Sequence, residues 1–301
     1  MSGFDPDWLA LREPFDRAAR EAAAQALDIP AFAARLRERR GPDAALQVLD
    51  LGCGTGANLR ALAPQLGDAQ RWRLVDHDPR LLAALPDVLR GWAAAQGWRA
   101  DGEAEGLRIE GPALSLDVAW QQADLAGGHD GLHLDGADLV TASALLDLVS
   151  ADWLARWIAR CHAAGAALYF ALSVDDRLHW RPVDAADDEV QALFRAHQRR
   201  DKGFGPALGG SAVHAALPML ARAGYRCTTS ASDWHIDAAQ GPVHRAMLAA
   251  MVDGIASAAC EQEPTAASRV QAWRDRREAL LAKPPGVGLV VGHTELLAWL
   301  D

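Results

Sequence analysis

The stretch Val48-Leu49-Asp50-Leu51-Gly52-Cys53-Gly54-Thr55-Gly56-Ala57-Asn58 reads as a short apolar strand that ends in an acid and runs into a glycine-rich turn. Glycines at 52, 54 and 56 remove the Cβ where the backbone must turn sharply and let a ligand lie against the main chain. A helix begins at once, because Leu59, Leu62, Ala63 and Leu66 recur at i, i+3, i+4 and i+7. Strand, glycine turn and helix N-terminus in that order form a nucleotide-type site at the carboxyl end of a parallel strand.

Two ligand classes fit this spacing. Gly52-x-Gly54-x-x-Ala57 meets the dinucleotide fingerprint, so an NAD(P)-dependent dehydrogenase is one reading. Asp50 argues for another: it would add negative charge beside a diphosphate, but would favour the cationic amino group and sulfonium of S-adenosylmethionine. The whole phrase, LDLGCGTGANL, resembles motif I of the class I S-adenosylmethionine-dependent methyltransferases. The resemblance implies that Gly52, Cys53, Gly54, Gly56 and Asn58 wrap the methionine part of the cofactor, with Asp50 close by.

Residues 71–76 read as a second strand ending in Asp76, 20 residues beyond Gly56. That spacing suits a carboxylate that accepts both ribose hydroxyls, and Asp76-His77-Asp78-Pro79 resembles the family's motif II. Asp78 reads better as a helix cap. A third acid, Asp124, follows the strand at 118–122; the resemblance implies that it reaches the adenine amino group and that Leu125 meets the ring. Residues 138–149, DLVTASALLDLV, resemble motif IV, a buried strand holding Thr141 and Ala142 whose end faces the transferable methyl. Relatives with this phrase often carry histidine near the position of Asp147.

The implied fold is α/β: a Rossmann-like class I methyltransferase sheet of seven strands, the last antiparallel beside the fifth. N-terminal helices precede it, and helical insertions follow strands 5 and 6. Residues 1–44 would form a helical cap, with helix starts at Asp5-Pro6 and Glu13-Pro14 and an end at Gly41-Pro42. Arg12, Glu13, Asp16, Arg17 and Arg20 read as a solvated, salt-bridged face. Residues 45–301 would form the cofactor-binding domain, with 175–210 a substrate lid and 238–283 a helical insertion.

Within the lid, Val190, Leu193, Phe194 and His197 recur at helical spacing and place His197 on an apolar stripe. A desolvated imidazole stays neutral near neutrality and can accept a proton, which makes His197 the candidate general base; a satisfied core histidine is the alternative. Arg195, Arg199 and Lys202 read as a solvated face or an anion site.

Composition bounds the partners. The 301 residues are 50% hydrophobic and carry a formal net charge of -10, which disfavours general nucleic-acid binding because phosphates would meet no excess of positive charge. The four cysteines are far apart, so neither a zinc site nor a disulfide framework is expected. No export signal and no run of ~18 apolar residues is visible, and a cytoplasmic protein with no membrane partner is expected. The expected reaction is SN2 methyl transfer to a small-molecule acceptor with no metal. A nonenzymatic S-adenosylmethionine-binding regulatory module is the reading from another class.

Overall fold

The computed structural model describes residues 6–41, 44–103, 106–127, 131–281 and 286–301. The expected boundaries at Asp5, Pro42 and Lys283 lie outside the described residues. Strand β1 (Leu46–Leu51) is buried almost throughout, as a strand covered by helices on both faces must be. It pairs in parallel with β2 (Asp68–Asp76) on one side and β6 (Leu139–Ser143) on the other. β2 continues in parallel to β5 (Leu114–Gln122), and β6 to β7 (Ala167–Arg181).

Beyond β7 the chain direction changes. β10 (Gly288–Trp299) runs antiparallel between β7 and β8 (Arg226–Ala231), while β9 (Trp234–Asp237) pairs with the start of β10. A hairpin, β3 (Arg99–Glu103) with β4 (Gly106–Gly111), extends the other edge from β5. The resulting order is β3-β4-β5-β2-β1-β6-β7-β10-β8.

Helices cover both faces, each over its own apolar core. One core joins the sheet to α1 (Pro6–Leu27), α2 (Ile29–Arg40), α3 (Ala57–Leu66), α4 (Pro79–Ala95), α8 (Pro242–Gln262) and α9 (Ala267–Leu281). The other joins it to α5 (Ala151–Ala164) and α7 (Ala212–Arg222). α8 and α9 lie between β9 and the antiparallel β10, where a helical insertion after the sixth strand was expected.

Two expectations are corrected. Glu13-Pro14 starts no helix: Pro14 lies inside α1, which runs on because the one lost i→i−4 bond is outweighed by packing of Phe15, Ala19, Ala23 and Leu27. Residues 175–181, expected to begin an irregular insertion, instead continue β7. Leu178 and Trp180 point into the core while Arg177, His179 and Arg181 face out, and residues 178–181 pair with residues 288–291 of β10. Only then does α6 (Asp187–Gln198) form, packed on α8.

A buried charge pair locks this insertion. Arg277 of α9 is wholly buried; its guanidinium donates to Asp187 Oδ1 and, at 2.7 Å, to the Pro182 carbonyl, between the rings of Trp180 and Trp273. Trp273 Nε1 donates to the same Asp187 oxygen at 2.8 Å. Among the described residues, no helix is long and apolar enough to cross a membrane.

Candidate functional site

The turn after β1 is built as its glycines require. Gly52, Gly54 and Gly56 have φ of 65°, 54° and 79°, the left-handed region where a side chain is strained. Cys53 N donates to the Val75 carbonyl at 3.0 Å, tying the turn to β2, and Gly56 N donates to the Cys53 carbonyl at 2.9 Å. Gly56 also starts α3 without any side-chain cap, so the first N–H groups of that helix point towards the turn with no capping oxygen of their own.

Asp76 braces this turn from below. Its Oδ2 accepts from Gly54 N at 2.8 Å and its Oδ1 from Asp78 N at 2.9 Å, while the side chain is buried. A carboxylate has about four lone-pair sites, so two remain for hydroxyl donors. Asp78 takes the capping role, accepting from Arg80 N at 2.9 Å at the start of α4. The hydrogen bonds and charge of Arg80 hold its carboxyl down to about 2. His77 is exposed, with Nδ1 3.4 Å from Asp76 Oδ1. Replacing Asp76 by alanine is expected to weaken ligand binding by ~1–3 kcal/mol, the usual range for a lost charged hydrogen bond. Unchanged affinity in a folded variant, measured by calorimetry, would make Asp76 a brace of the turn alone.

Asp50 sits beneath the turn, wholly buried. Asn58 Nδ2 donates to its Oδ1 at 2.7 Å and to Thr141 Oγ1 at 3.0 Å; Thr141 in turn donates to the Tyr169 carbonyl at 2.8 Å. The strand register carries this ladder, with Asp50 opposite Thr141 and Thr141 opposite Tyr169. Tyr169 Oη then donates to Glu295 of β10. A polar stripe therefore crosses four strands of one sheet face. Arg20 of α1 lies over it, its guanidinium carbon 5.6 Å from the Tyr169 ring centre. Asp50 Oδ2, Asn58 Oδ1, Glu295 Oε1 and Arg20 Nε and Nη2 are buried there without partners among the described residues.

Burial pushes the Asp50 carboxyl up to about 7, against the opposing effects of the Asn58 hydrogen bond and the Arg20 charge. From pH ~4 to ~7 the unfolded chain therefore releases this proton while the folded chain keeps it. Stability should fall across that window by at most ~1.4 kcal/mol per pH unit and level off above it. Asp50→Asn should remove this slope: chemical denaturation should find the variant close to wild type near pH 4 and more stable above pH 7. A gap between the two that does not widen with pH would contradict the assignment.

Ala142 is buried in β6 beside Thr141. Asp124 is exposed, its Oδ1 accepting from Ala126 N at 2.8 Å, and Leu125 is buried with its carbonyl accepting from Trp153 Nε1 at 2.8 Å. His197 is not brought to the turn: its Nε2 lies 3.0 Å from Glu261 Oε2 of α8, in the seam between α6 and α8. Arg195 and Arg199 bind Asp176, at its carbonyl (2.9 Å) and its Oδ2 (2.7 Å), and hold α6 to the β7 extension. Trp180 is core, and Trp234 is buried under α1 with Arg12 stacked at 5.2 Å.

The expected solvated face of α1 is also corrected. Arg17 and Glu21 are exposed, but Arg20 is buried and the Arg12–Asp16 pair (2.9 Å) is nearly so, because α1 lies on the sheet through this stripe. Spacing at i, i+4 and i+8 is equally compatible with an inward stripe. The signal for Glu295 is plainer, since it is the lone acid of a mostly apolar strand.

The sheet decides the family of folds. A parallel run in the order β5-β2-β1-β6-β7 carries an acid-flanked glycine turn after its central strand and an acid at the end of the next. An antiparallel strand sits between β7 and β8. This is the class I methyltransferase fold. The class I sheet is here lengthened by the β3–β4 hairpin and by β9.

No family model and no curated protein matches the chain. Among solved structures, it is similar to a methyltransferase from Geobacter sulfurreducens in complex with S-adenosyl-L-homocysteine (15% identity, 91% of this chain and 90% of that one, TM-score 0.41). It is also similar to a putative sarcosine dimethylglycine methyltransferase from Galdieria sulphuraria (11%, 91% and 86%, 0.43) and to the [4+2]-cyclase SpnF (15%, 90% and 81%, 0.39). The class I fold rests on the sheet itself. Two surface concavities lie apart from the site, one at the opposite end of the sheet by Arg39, Arg40 and Gly165, the other between α1 and α8 by Phe15, His235 and His244.

Proposed function

We propose that the chain binds S-adenosylmethionine at the turn after β1 and transfers its methyl group to a small-molecule acceptor. The observation that carries this reading is the cradle itself: left-handed glycines at 52, 54 and 56, an uncapped α3 and a buried Asp50 beneath them, inside a sheet with antiparallel β10. A dinucleotide-binding sheet keeps its last strand parallel in the order 3-2-1-4-5-6, which disfavours a dehydrogenase. The cofactor, when bound, supplies an already activated methyl on a cationic sulfur.

The chain's own residues then bind and align. The N–H groups at the start of α3 suit the amino-acid carboxylate, Asp50 would be drawn towards its charged form by the nearby ammonium, and the free lone pairs of Asp76 suit the ribose hydroxyls. Asp124 and Leu125 border the base. Segment 199–210 lies across the end of β6, with Gly209 N donating to the Asp147 carbonyl and Leu208 N to the Val149 carbonyl, both at 2.9 Å. That supports a lid over the acceptor built from these residues rather than from all of 175–210. Alignment of acceptor, methyl and sulfur is the main catalytic demand.

The test is release of S-adenosylhomocysteine across a metabolite extract, with mass detection of a product heavier by one methylene. Donor-dependent release with such a product supports the reading. Tight donor binding with no product from any fraction would leave a binding module.

A further inference from the structure

Asp147 lies in the turn after β6, at the centre of the carboxyl mouth of the sheet. Three contacts fix the place. The turn begins with Ala144 in the left-handed region at φ 52°, its N–H held by the Ala171 carbonyl of β7 at 3.0 Å. Leu145 reaches back to the glycine turn, its Cδ1 3.6 Å from where a Cβ on Gly52 would stand. The Asp147 carbonyl holds segment 199–210 through Gly209 N. Asp147 therefore sits between the turn after β1 and the segment that covers the mouth.

Its side chain is the unexplained part. Oδ1 is closed off from solvent and has no hydrogen-bond partner among the described residues. The charged group that bears on it is Arg12, from α1; Leu145, Leu146 and Leu148 of its own turn and Gly209 of the covering segment bring no charge. A buried carboxylate oxygen left without a partner loses the hydration it would have in water, and strained non-glycine backbone such as Ala144 persists where the surrounding structure enforces it.

We propose that the Asp147 carboxylate faces the transferable methyl and holds the N–H or O–H of the acceptor there. The inference rests on the methyltransferase reading above. The acceptor's lone pair forms the new bond to the methyl carbon as the carbon–sulfur bond breaks, its electron pair passing to sulfur and leaving a neutral thioether. The displaced N–H or O–H proton passes to Asp147. Burial pushes this carboxyl up to about 6, so it is largely ionised at neutral pH and ready to accept.

The test needs no acceptor. Sinefungin carries a protonated amine where the donor carries its methyl sulfonium, whereas S-adenosylhomocysteine is neutral there. Titration calorimetry of the full chain gives the ratio of the two affinities, in which contacts to the common adenosine and amino-acid parts, Asp50 and Asp76 included, cancel. Asp147→Asn should lower the preference for sinefungin by about tenfold or more, the range for a lost hydrogen bond between charged groups. In the wild type the same preference should fall as pH drops below about 6, a readout that does not depend on the variant folding. A ratio unchanged both by Asp147→Asn and by pH would overturn the proposal. If the wild type binds neither compound at any pH, the methyltransferase reading falls, and this inference with it.

Discussion

Replacing Gly54 by valine is expected to weaken S-adenosylmethionine binding at least ~100-fold, equivalent to ~2.7 kcal/mol. Gly54 has φ 54°, where a residue other than glycine pays ~1–3 kcal/mol of backbone strain, most for a β-branched one. The protein itself leaves room for a Cβ: the nearest atom would be Leu9 Cδ1 at 3.7 Å, an ordinary contact. The cost therefore falls on the turn. The added methyls occupy the side of the loop on which a ligand must lie, and relieving the strain would withdraw Gly54 N from Asp76, removing the bond that poises that carboxylate. Gly56→Val is different in kind, because its Cβ would stand 2.9 Å from Leu85 Cδ1 and 3.3 Å from Leu89 Cδ2 in the α4 core. Calorimetry with thermal melting separates the two: Gly54→Val should lose binding and keep its fold, and Gly56→Val should lose stability. Normal affinity in Gly54→Val would show that no ligand lies against this turn.

Arg277→Ala is expected to cost ~3–5 kcal/mol of stability, because it leaves the Asp187 carboxylate buried without its partner. Three elements meet at this pair: the end of β7 through the Pro182 carbonyl, the first turn of α6 through Asp187, and α9 itself. Loss of the guanidinium also removes a cation from between Trp180 and Trp273. The double variant Arg277→Met with Asp187→Leu should recover most of the loss, since two apolar groups of similar volume need no desolvated charge. Urea unfolding decides it. A cost below ~1 kcal/mol for Arg277→Ala would mean that water reaches Asp187.

The part of the site visible in the sequence is the part that local backbone rules dictate. Glycines at 52, 54 and 56 announce left-handed turns wherever they occur, and an acid at the end of the next strand is placed by spacing alone. The structure joins Asp50, Asn58 and Thr141 in one hydrogen-bonded ladder and ties Asp76 to the glycine turn through Gly54 N. What escaped depends on pairing between distant segments. Arg20 joins the site only because β7 and β10, which carry Tyr169 and Glu295, become neighbours. In sequence it stands among charges that a helix can equally show to water.

The β7 extension was hidden by its charged outward residues, although Leu178 and Trp180 alternate with them at the period of a strand. The helical stripe of Val190, Leu193, Phe194 and His197 falls within α6. Periodicity could not say which neighbour would meet the stripe, and His197 meets Glu261 of α8 rather than the turn after β1.

The most direct measurement is titration calorimetry of the chain against S-adenosylmethionine, S-adenosylhomocysteine and NADH under one set of conditions. The account predicts micromolar-range binding of the first two, abolished in Gly54→Val, and no comparable heat from NADH. Tight NADH binding with no response to either adenosyl compound would contradict it.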